Sequence, residues 1–350
     1  MTAVYTLTLN PVIDVHFALE GIVPGAENYT KIRKKIAAGK GVNISRAFKR
    51  HGVSAPAFVL LGDSDAELYM KMLASDGIEA EAKLVHGQVR EYVSLNDMVN
   101  NTETRICFKA FSAASSDAIE LGSMLLHRLQ PGDVVCISGG LPEGVSPADV
   151  VKLSNMFREN GALTVIDCAA MDAASLKAAR PWLIKPNLSE AKALVNDFSA
   201  PVPDCSGGAS DSLIARLTEL SENVLLSLGP AGAVYARRIA RETRKNTRKT
   251  PANGSAVPAE CPDDFAYKTP QNGLLKPFCG ISLPAVKIPH CYSTVGAGDN
   301  LLAGFLYYLV NVLPADPESF SAGGAIPEDA ARKALETGLN FAAEVCSEVR

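Results

Sequence analysis

Residues 293–300, Ser293-Thr294-Val295-Gly296-Ala297-Gly298-Asp299-Asn300, join turn-forming glycines to an acid, directly before an apolar segment over 301–310. Leu301, Leu302, Phe305, Leu306 and Leu309 recur at the spacing of a buried helix face. A glycine turn at a helix start lets the backbone N–H groups of Gly296, Ala297 and Gly298 point outward together. They then sit at the positive end of the helix dipole, a place suited to a phosphate or a developing negative charge. A carboxylate at such a site is repelled by bound phosphate unless it has a chemical task. The task that fits Asp299 is general base, taking the proton from an attacking hydroxyl beside a cradled phosphoryl group. An ordinary glycine turn with Asp299 as a helix cap has the same local pattern, so the choice rests on the rest of the chain.

Four further places carry candidate chemistry. Asp14 follows the Asn10-Pro11 turn at the end of the alternating run 4–9, where open α/β sheets bind ligands; it suits either substrate hydroxyls or solvent. Gly39-Lys40-Gly41-Val42-Asn43 is a second glycine turn at a helix start, the helix running to about His51. It lacks the spacing of a nucleotide P-loop and better suits a small anionic or polyhydroxyl ligand, with Lys40 as point charge and Asn43 as hydrogen-bonding arm. Asn187 and Glu190, three apart at a helix start after Lys185-Pro186, offer oxygen ligands for Mg²⁺ or equally a capping arrangement. Arg90 and Arg105, near the starts of strands 91–96 and 104–109, suit a phosphate clamp or surface ion pairs.

The elements that must position these residues alternate. Strands are expected at 57–61, 134–138, 163–167, 182–185, 224–227, 233–236 and 284–288, with helices at 66–74, 147–159, 173–179 and 328–347. This βαβα rhythm implies a mostly parallel sheet with helices on both faces. Glycine turns at Gly139-Gly140 and at Gly229 and Gly232 punctuate strand ends. Residues 15–36 suggest a hairpin extension, and the basic run 31–35 a solvated face. The pattern breaks over 238–282, where residues 237–249 carry seven Lys/Arg against one acid and Pro, Gly and Asn follow. Such a stretch is a functional flap or a disordered insertion, and its composition favours the insertion.

Composition narrows the function classes. The 350 residues are 47% hydrophobic and 21% charged, enough for a full core in one domain, and a net charge of −4 argues against nucleic acid as the main partner. No apolar run approaches the ~18 residues of a membrane span. The N-terminus reads as a strand, not a signal peptide. Eight cysteines without a Cys-x-x-Cys pair, and five histidines without paired-ligand spacing, point to reduced thiols in a cytoplasmic protein and away from zinc.

Taken in order, Thr8–Asp14, Ala38-Gly39-Lys40-Gly41-Val42-Asn43, Ser138-Gly139-Gly140-Leu141-Pro142, Lys185-Pro186-Asn187 with Glu190, Ser227-Leu228-Gly229, and Ser293 to Asp299 resemble the motifs of the PfkB or ribokinase-like family of sugar kinases. Within it they look like the fructose-1-phosphate and tagatose-6-phosphate kinase branch. The resemblance implies a three-layer αβα sandwich with a small β lid drawn from about 15–36 and 90–110, and a homodimer formed through that lid. It implies Asp299 as base and the backbone of Gly296, Ala297 and Gly298 as anion hole. Asp14, Gly39, Lys40, Asn43 and Ser138 would surround the sugar, with Arg90 and Arg105 on its phosphate. Lys185, Asn187, Glu190, Ser227, Gly229, Gly232 and Thr294 would face ATP and Mg²⁺. The function it implies is ATP-dependent conversion of fructose 1-phosphate to fructose 1,6-bisphosphate. Kinases of tagatose 6-phosphate or fructose 6-phosphate, and a non-catalytic sugar-phosphate sensor, are the alternatives. The chain departs from the family pattern at Ala38, Gly140 and Asn300 and in the length of 238–282. The Cβ of Ala38 is expected to restrict backbone approach to the substrate.

Overall fold

The computed structural model describes residues 2–30, 32–100, 102–201, 211–239, 278–291, 293–313 and 326–347. Most of the segment 238–282 therefore lies outside the described residues. Its first residue ends a strand, β12 (Ala233–Arg238), and its last residues belong to another, β13 (Phe278–Leu283), and Arg238 and Phe278 pair in an antiparallel ladder. The expected strand at 284–288 is thus displaced toward the N-terminus. Pro284 has no N–H for the ladder, whereas Phe278, Cys279 and Ile281 supply the buried apolar residues that a strand needs.

A nine-stranded sheet forms the middle layer, in the order β13-β12-β11-β10-β9-β8-β1-β4-β5. Its remaining strands are β1 (Val4–Thr8), β4 (Ala57–Gly62), β5 (Ala80–Val85), β8 (Val134–Ser138), β9 (Leu163–Asp167), β10 (Leu183–Ile184) and β11 (Asn223–Ser227). Pairing is parallel from β5 to β11 and antiparallel only at β12 and β13. The central strands are apolar on both faces, as a doubly covered sheet requires. Val135 and Ile137 pack with α3 (Ser115–Leu126) and α4 (Pro147–Glu159). Val134 and Cys136 instead join the core of α1 (Lys40–Arg50), α8 (Ala297–Tyr307) and α9 (Glu328–Ser347). The helices α2 (Ala66–Ser75), α5 (Ala173–Ala179), α6 (Leu188–Leu194) and α7 (Asp211–Leu217) complete the outer layers. The strand at 80–85 and the helices at 115–126 and 211–217 carry too weak a period to stand out from the sequence alone.

A second, four-stranded sheet stands apart, ordered β3-β2-β6-β7: β2 (Val12–Leu19), β3 (Ile32–Ala38), β6 (Arg90–Asp97) and β7 (Thr102–Cys107). It is mixed, β2 pairing antiparallel with β3 and parallel with β6. Together the layers make a ribokinase-like αβα sandwich with a small β lid. After β1 the chain builds outward through β4 and β5, then returns to place β8 on the other side of β1. The β1/β8 boundary is therefore the topological switch point, beyond whose carboxyl ends such sheets bind ligands.

Among the described residues no helix is long and apolar enough to cross a membrane. The six described cysteines, Cys107, Cys136, Cys168, Cys279, Cys291 and Cys346, are free thiols.

Candidate active site

The two glycine turns converge at this switch point. Gly296 adopts a left-handed φ of 79° and ends the approach to α8, while Asn300 closes the turn by donating from its backbone N–H (2.9 Å) and its side-chain Nδ2 (2.8 Å) to the Gly296 carbonyl. Asn300, a departure from the family pattern, thus has a structural task. The Ala297 N–H turns back to the Thr294 carbonyl at 3.2 Å, so the open amides of the first turn are those that follow it, beginning at Gly298. Thr294 serves the turn through its backbone.

Asp299 is buried in the first turn of α8. Its Oδ2 accepts a 2.8 Å hydrogen bond from Asn43 Nδ2 at the start of α1. Gly39 precedes that helix at φ 140°, a backbone angle open to glycine, with Thr8 and Pro11 packed beneath it. Ala38 shows no such angle: it sits buried in β3, paired with Val12, and its carbonyl accepts from Tyr69 at 2.6 Å. Its Cβ is accommodated as part of the lid strand and the backbone there makes no demand for glycine.

Lys40 does not reach outward as a point charge. Its Nζ pairs at 2.8 Å with Oδ1 of Asp167, at the carboxyl end of β9, and Lys185 Nζ lies 3.1 Å from Oδ2 of the same carboxylate. Asp167 is the site residue that motif spacing missed. The available signal was position, since it is an acid at the last residue of an apolar strand, the rule that singled out Asp14. Lys185 Nζ also lies 3.1 Å from where a Cβ on Gly298 would sit, so one ammonium hangs over the anion turn.

These charges set the state of the base. Burial pushes the Asp299 carboxyl up and the Asp167 charge pushes it further, while Lys185, the Asn43 hydrogen bond and Lys40 pull it down, leaving it at about 6. Burial opposes charge on Asp167 too, but Lys185 and Lys40 hold it below the usual carboxylate range. Burial likewise opposes the Lys40 charge, and Asp167 more than offsets it. Two carboxylates in one site are driven apart, Asp167 fixed as an anion and Asp299 poised near neutrality, as general-base chemistry requires.

Two cavities flank this cluster. One of about 490 Å³ is lined by Asp14, His16 and Ala38 of the lid together with Asn43, Gly296 and Asn300. Its wall carries Lys34, Lys35, Arg46, Arg50 and Lys71, against the acids Asp14 and Asp76. The other, about 560 Å³, is lined by Asp167, Cys168, Lys185, Pro186 and Glu190. Asn187 and Glu190 form a reciprocal capping box at the start of α6, Oδ1 accepting from the Glu190 N–H and Oε2 from the Asn187 N–H, both at 2.9 Å. Capping engages one oxygen of Glu190, and the carboxylate still faces the second cavity. The residues therefore fit Mg²⁺ held by a carboxylate, waters and substrate phosphates. Among the described residues no group of three acidic, histidine or cysteine side chains would hold a metal without such help.

The other expected positions divide. Ser138 ends β8 buried, with no partner for its Oγ among the described residues. Ser227 joins the Asn187 strand end by a bridge, and Gly229 and Gly232 close a tight turn in which Leu228 N–H bonds the Gly232 carbonyl at 2.8 Å. Arg90 braces the Asn10-Pro11 turn, donating to the carbonyls of Asn10 (2.9 Å) and Pro11 (3.2 Å) and to the Tyr92 hydroxyl (2.6 Å). Arg105 lies away from the cluster: β7 is exposed along its length, and Arg105 pairs with Glu103 at 3.1 Å on the outer strand of the lid.

This sequence and this fold are matched elsewhere. The sequence model described as pfkB family carbohydrate kinase matches residues 4–253, and the chain belongs to that family. It is 27% identical to a 1-phosphofructokinase of Haemophilus influenzae over 315 residues, 88% of this chain and 84% of the relative. It is 26% identical to a tagatose-6-phosphate kinase of Staphylococcus epidermidis over 236 residues, 66% of this chain and 73% of the relative. In fold it is similar to phosphofructokinase-2 from Escherichia coli in complex with fructose-6-phosphate, with a TM-score of 0.68 at 20% identity over 97% of this chain and 99% of that one.

Proposed function

We propose that this chain is a cytoplasmic, ATP- and Mg²⁺-dependent kinase that phosphorylates O6 of fructose 1-phosphate. The observation that carries the reading is Asp299, buried at the start of α8, held by Asn43 and raised to about 6 beside the lysine-bound Asp167. The acceptor sugar occupies the cavity bounded by Asp14 and Asn43, and ATP directs its phosphates along the cavity of Lys185 and Glu190. Asp299 lies between, bonded to one wall and within electrostatic reach of the other.

Asp299 takes the proton of the attacking hydroxyl as its oxygen bonds the γ-phosphorus and the bond to the leaving ADP breaks. Lys185 and the Gly298 amide meet the charge on the transferring phosphoryl, already oriented before the reaction. Glu190 would hold Mg²⁺, its carboxylate fixed by the capping box with Asn187, and the ion would neutralise phosphate charge there. Lys40 and Asp167 keep Lys185 in place.

An anionic acceptor is supported by Lys34, Arg50 and Lys71 on the wall of the first cavity, beside Lys35 and Arg46, which pair with Glu91 and Asp76. The choice of fructose 1-phosphate is supported by the opening motif Thr8–Asp14 and by the longer match to the Haemophilus relative than to the Staphylococcus one. Pairing of two lids in a homodimer is supported by exposed Met98, Val99, Ile106 and Phe108 on the β6–β7 hairpin and the strand end beyond it. The test is kcat/KM with ATP for fructose 1-phosphate, fructose 6-phosphate, tagatose 6-phosphate and free fructose. Fructose 1-phosphate should lead. Free fructose as best substrate, or no turnover of any, refutes the reading.

A further inference from the structure

Asn43 can hold Asp299 only if its carboxamide faces the right way, and one residue of the cavity wall decides that. Arg46, three residues on along α1 and so on the same helix face, donates from Nη1 to Asn43 Oδ1 at 3.1 Å. A guanidinium has no acceptor and a carboxylate no donor. Between Arg46 and Asp299, Asn43 therefore has a single satisfying orientation, oxygen toward Arg46 and NH₂ toward Asp299 Oδ2. Reversed, it would set donor against donor and acceptor against acceptor.

We infer that Arg46 is the positioning residue for the catalytic base, holding the Asn43 carboxamide in the orientation that donates to Asp299. Arg46 is itself over-determined. Nε and Nη2 reach Asp76 Oδ2, beyond the end of α2, at 3.1 and 2.8 Å, and Nη2 reaches the Ala37 carbonyl of β3 at 2.5 Å. The fork thus ties α2, the lid strand β3 and α1 to the base on α8. A lysine cannot replace it, because one ammonium has neither the planar geometry nor the reach to serve Asn43, Ala37 and Asp76 together. The groups acting on Asp299 are Asp167 from β9, Lys185 after β10, and Lys40 and Asn43 from α1. Of these, Asn43 alone contributes by a directional hydrogen bond, and it is the one that Arg46 controls.

The inference rests on Asp299 being the base, and the experiment separates the two. Arg46→Ala, Arg46→Lys and Asp299→Asn are compared with wild type in pH profiles of kcat and kcat/KM, using ATP and the sugar phosphate wild type turns over best. Losing a donor to the carboxylate favours its protonated form, so the acid limb of Arg46→Ala moves to higher pH by about one unit. Its kcat at neutral pH falls about tenfold or more, a fraction of the full worth of a general base, while KM for ATP holds. Added guanidinium restores part of the rate to Arg46→Ala and none to Asp299→Asn. Should Arg46→Ala fail to fold, Arg46→Lys must show the displaced limb. A folded Arg46 variant with the wild-type acid limb overturns the inference, even if its activity falls with its melting temperature. Wild-type turnover in Asp299→Asn overturns the base assignment, and this inference with it.

Discussion

Replacing Asp167 by Asn should destabilise the protein and lower the pH at which its base becomes active. The carboxylate is 1% exposed, with Lys185 at 5% on one oxygen and Lys40 at 34% on the other. Asparagine keeps the shape and removes the charge, leaving two ammonium groups facing a neutral amide. Breaking a buried pair from one side costs about 3–5 kcal/mol. Lys40, about one-third exposed, regains some hydration, which reduces the expected loss to about 2–4 kcal/mol. At about 2.1 cal/mol/K per residue, 350 residues have an unfolding entropy near 0.7 kcal/mol/K, so Tm falls by about 3–6 °C. The second effect is on Asp299. Asp167 raises its pKa, and the two lysines, no longer neutralised, lower it. Both changes act in one direction, so the acid limb of kcat/KM moves below about 6. Thermal melts and a pH–rate profile on the same preparation read both effects. An Asn variant as stable as wild type, or one whose acid limb rises, refutes the account of this cluster.

Asp299→Asn should lower kcat by about 10²-fold or more, measured under saturating ATP and sugar phosphate. The folded-state pKa of Asp299 is raised, so the stability tied to its proton is present below 3.8 and lost as pH rises through about 6. The Asn variant should therefore be the more stable above pH 6, by up to about 3 kcal/mol, with the gap closing toward pH 4 in denaturant titrations. Gly298→Ala puts a Cβ 3.1 Å from Lys185 Nζ and should reduce kcat while Tm changes little. Gly338→Ala, remote from the chemistry, puts a Cβ 2.5 Å from the Leu301 carbonyl of α8; it should lower Tm and kcat together by displacing the helix that carries Asp299. Lys40→Met should lower stability and kcat for every sugar phosphate alike, because Lys40 binds Asp167; selective loss for one acceptor would return it to the substrate.

Features set by neighbours in the chain were legible in the sequence. The helix Pro147–Glu159 was readable to its ends, with Pro147 at its first position and Ser146 capping it beside Asp149. The strand Leu163–Asp167 and the helix Ala173–Ala179 were equally readable. So were the two glycine turns, because their backbone demands are local, and the capping box of Asn187 and Glu190, whose partners are three residues apart. Pro284 misled the reading of the last strand, since the apolar residues that form it lie just before the proline.

Which cation meets which anion was decided only by the tertiary structure. Lys40 in its glycine turn has the residue type and setting of a substrate-binding charge, yet it pairs with an acid 127 residues later. Arg90 turns to backbone carbonyls 79 and 80 residues before it, and Arg105 stays on the outer strand of the lid, paired with Glu103. Asn43 and Asp299 are 256 residues apart, joined because α1 and α8 pack into one core on the same side of the sheet and their starts meet. Residue type and local spacing thus determined the fold class, the anion turn and the candidate base. The partners of Lys40, Arg46 and Asp167 came from the packing of strands and helices, because a side chain's charge is local while its counter-charge is wherever the sheet order places it.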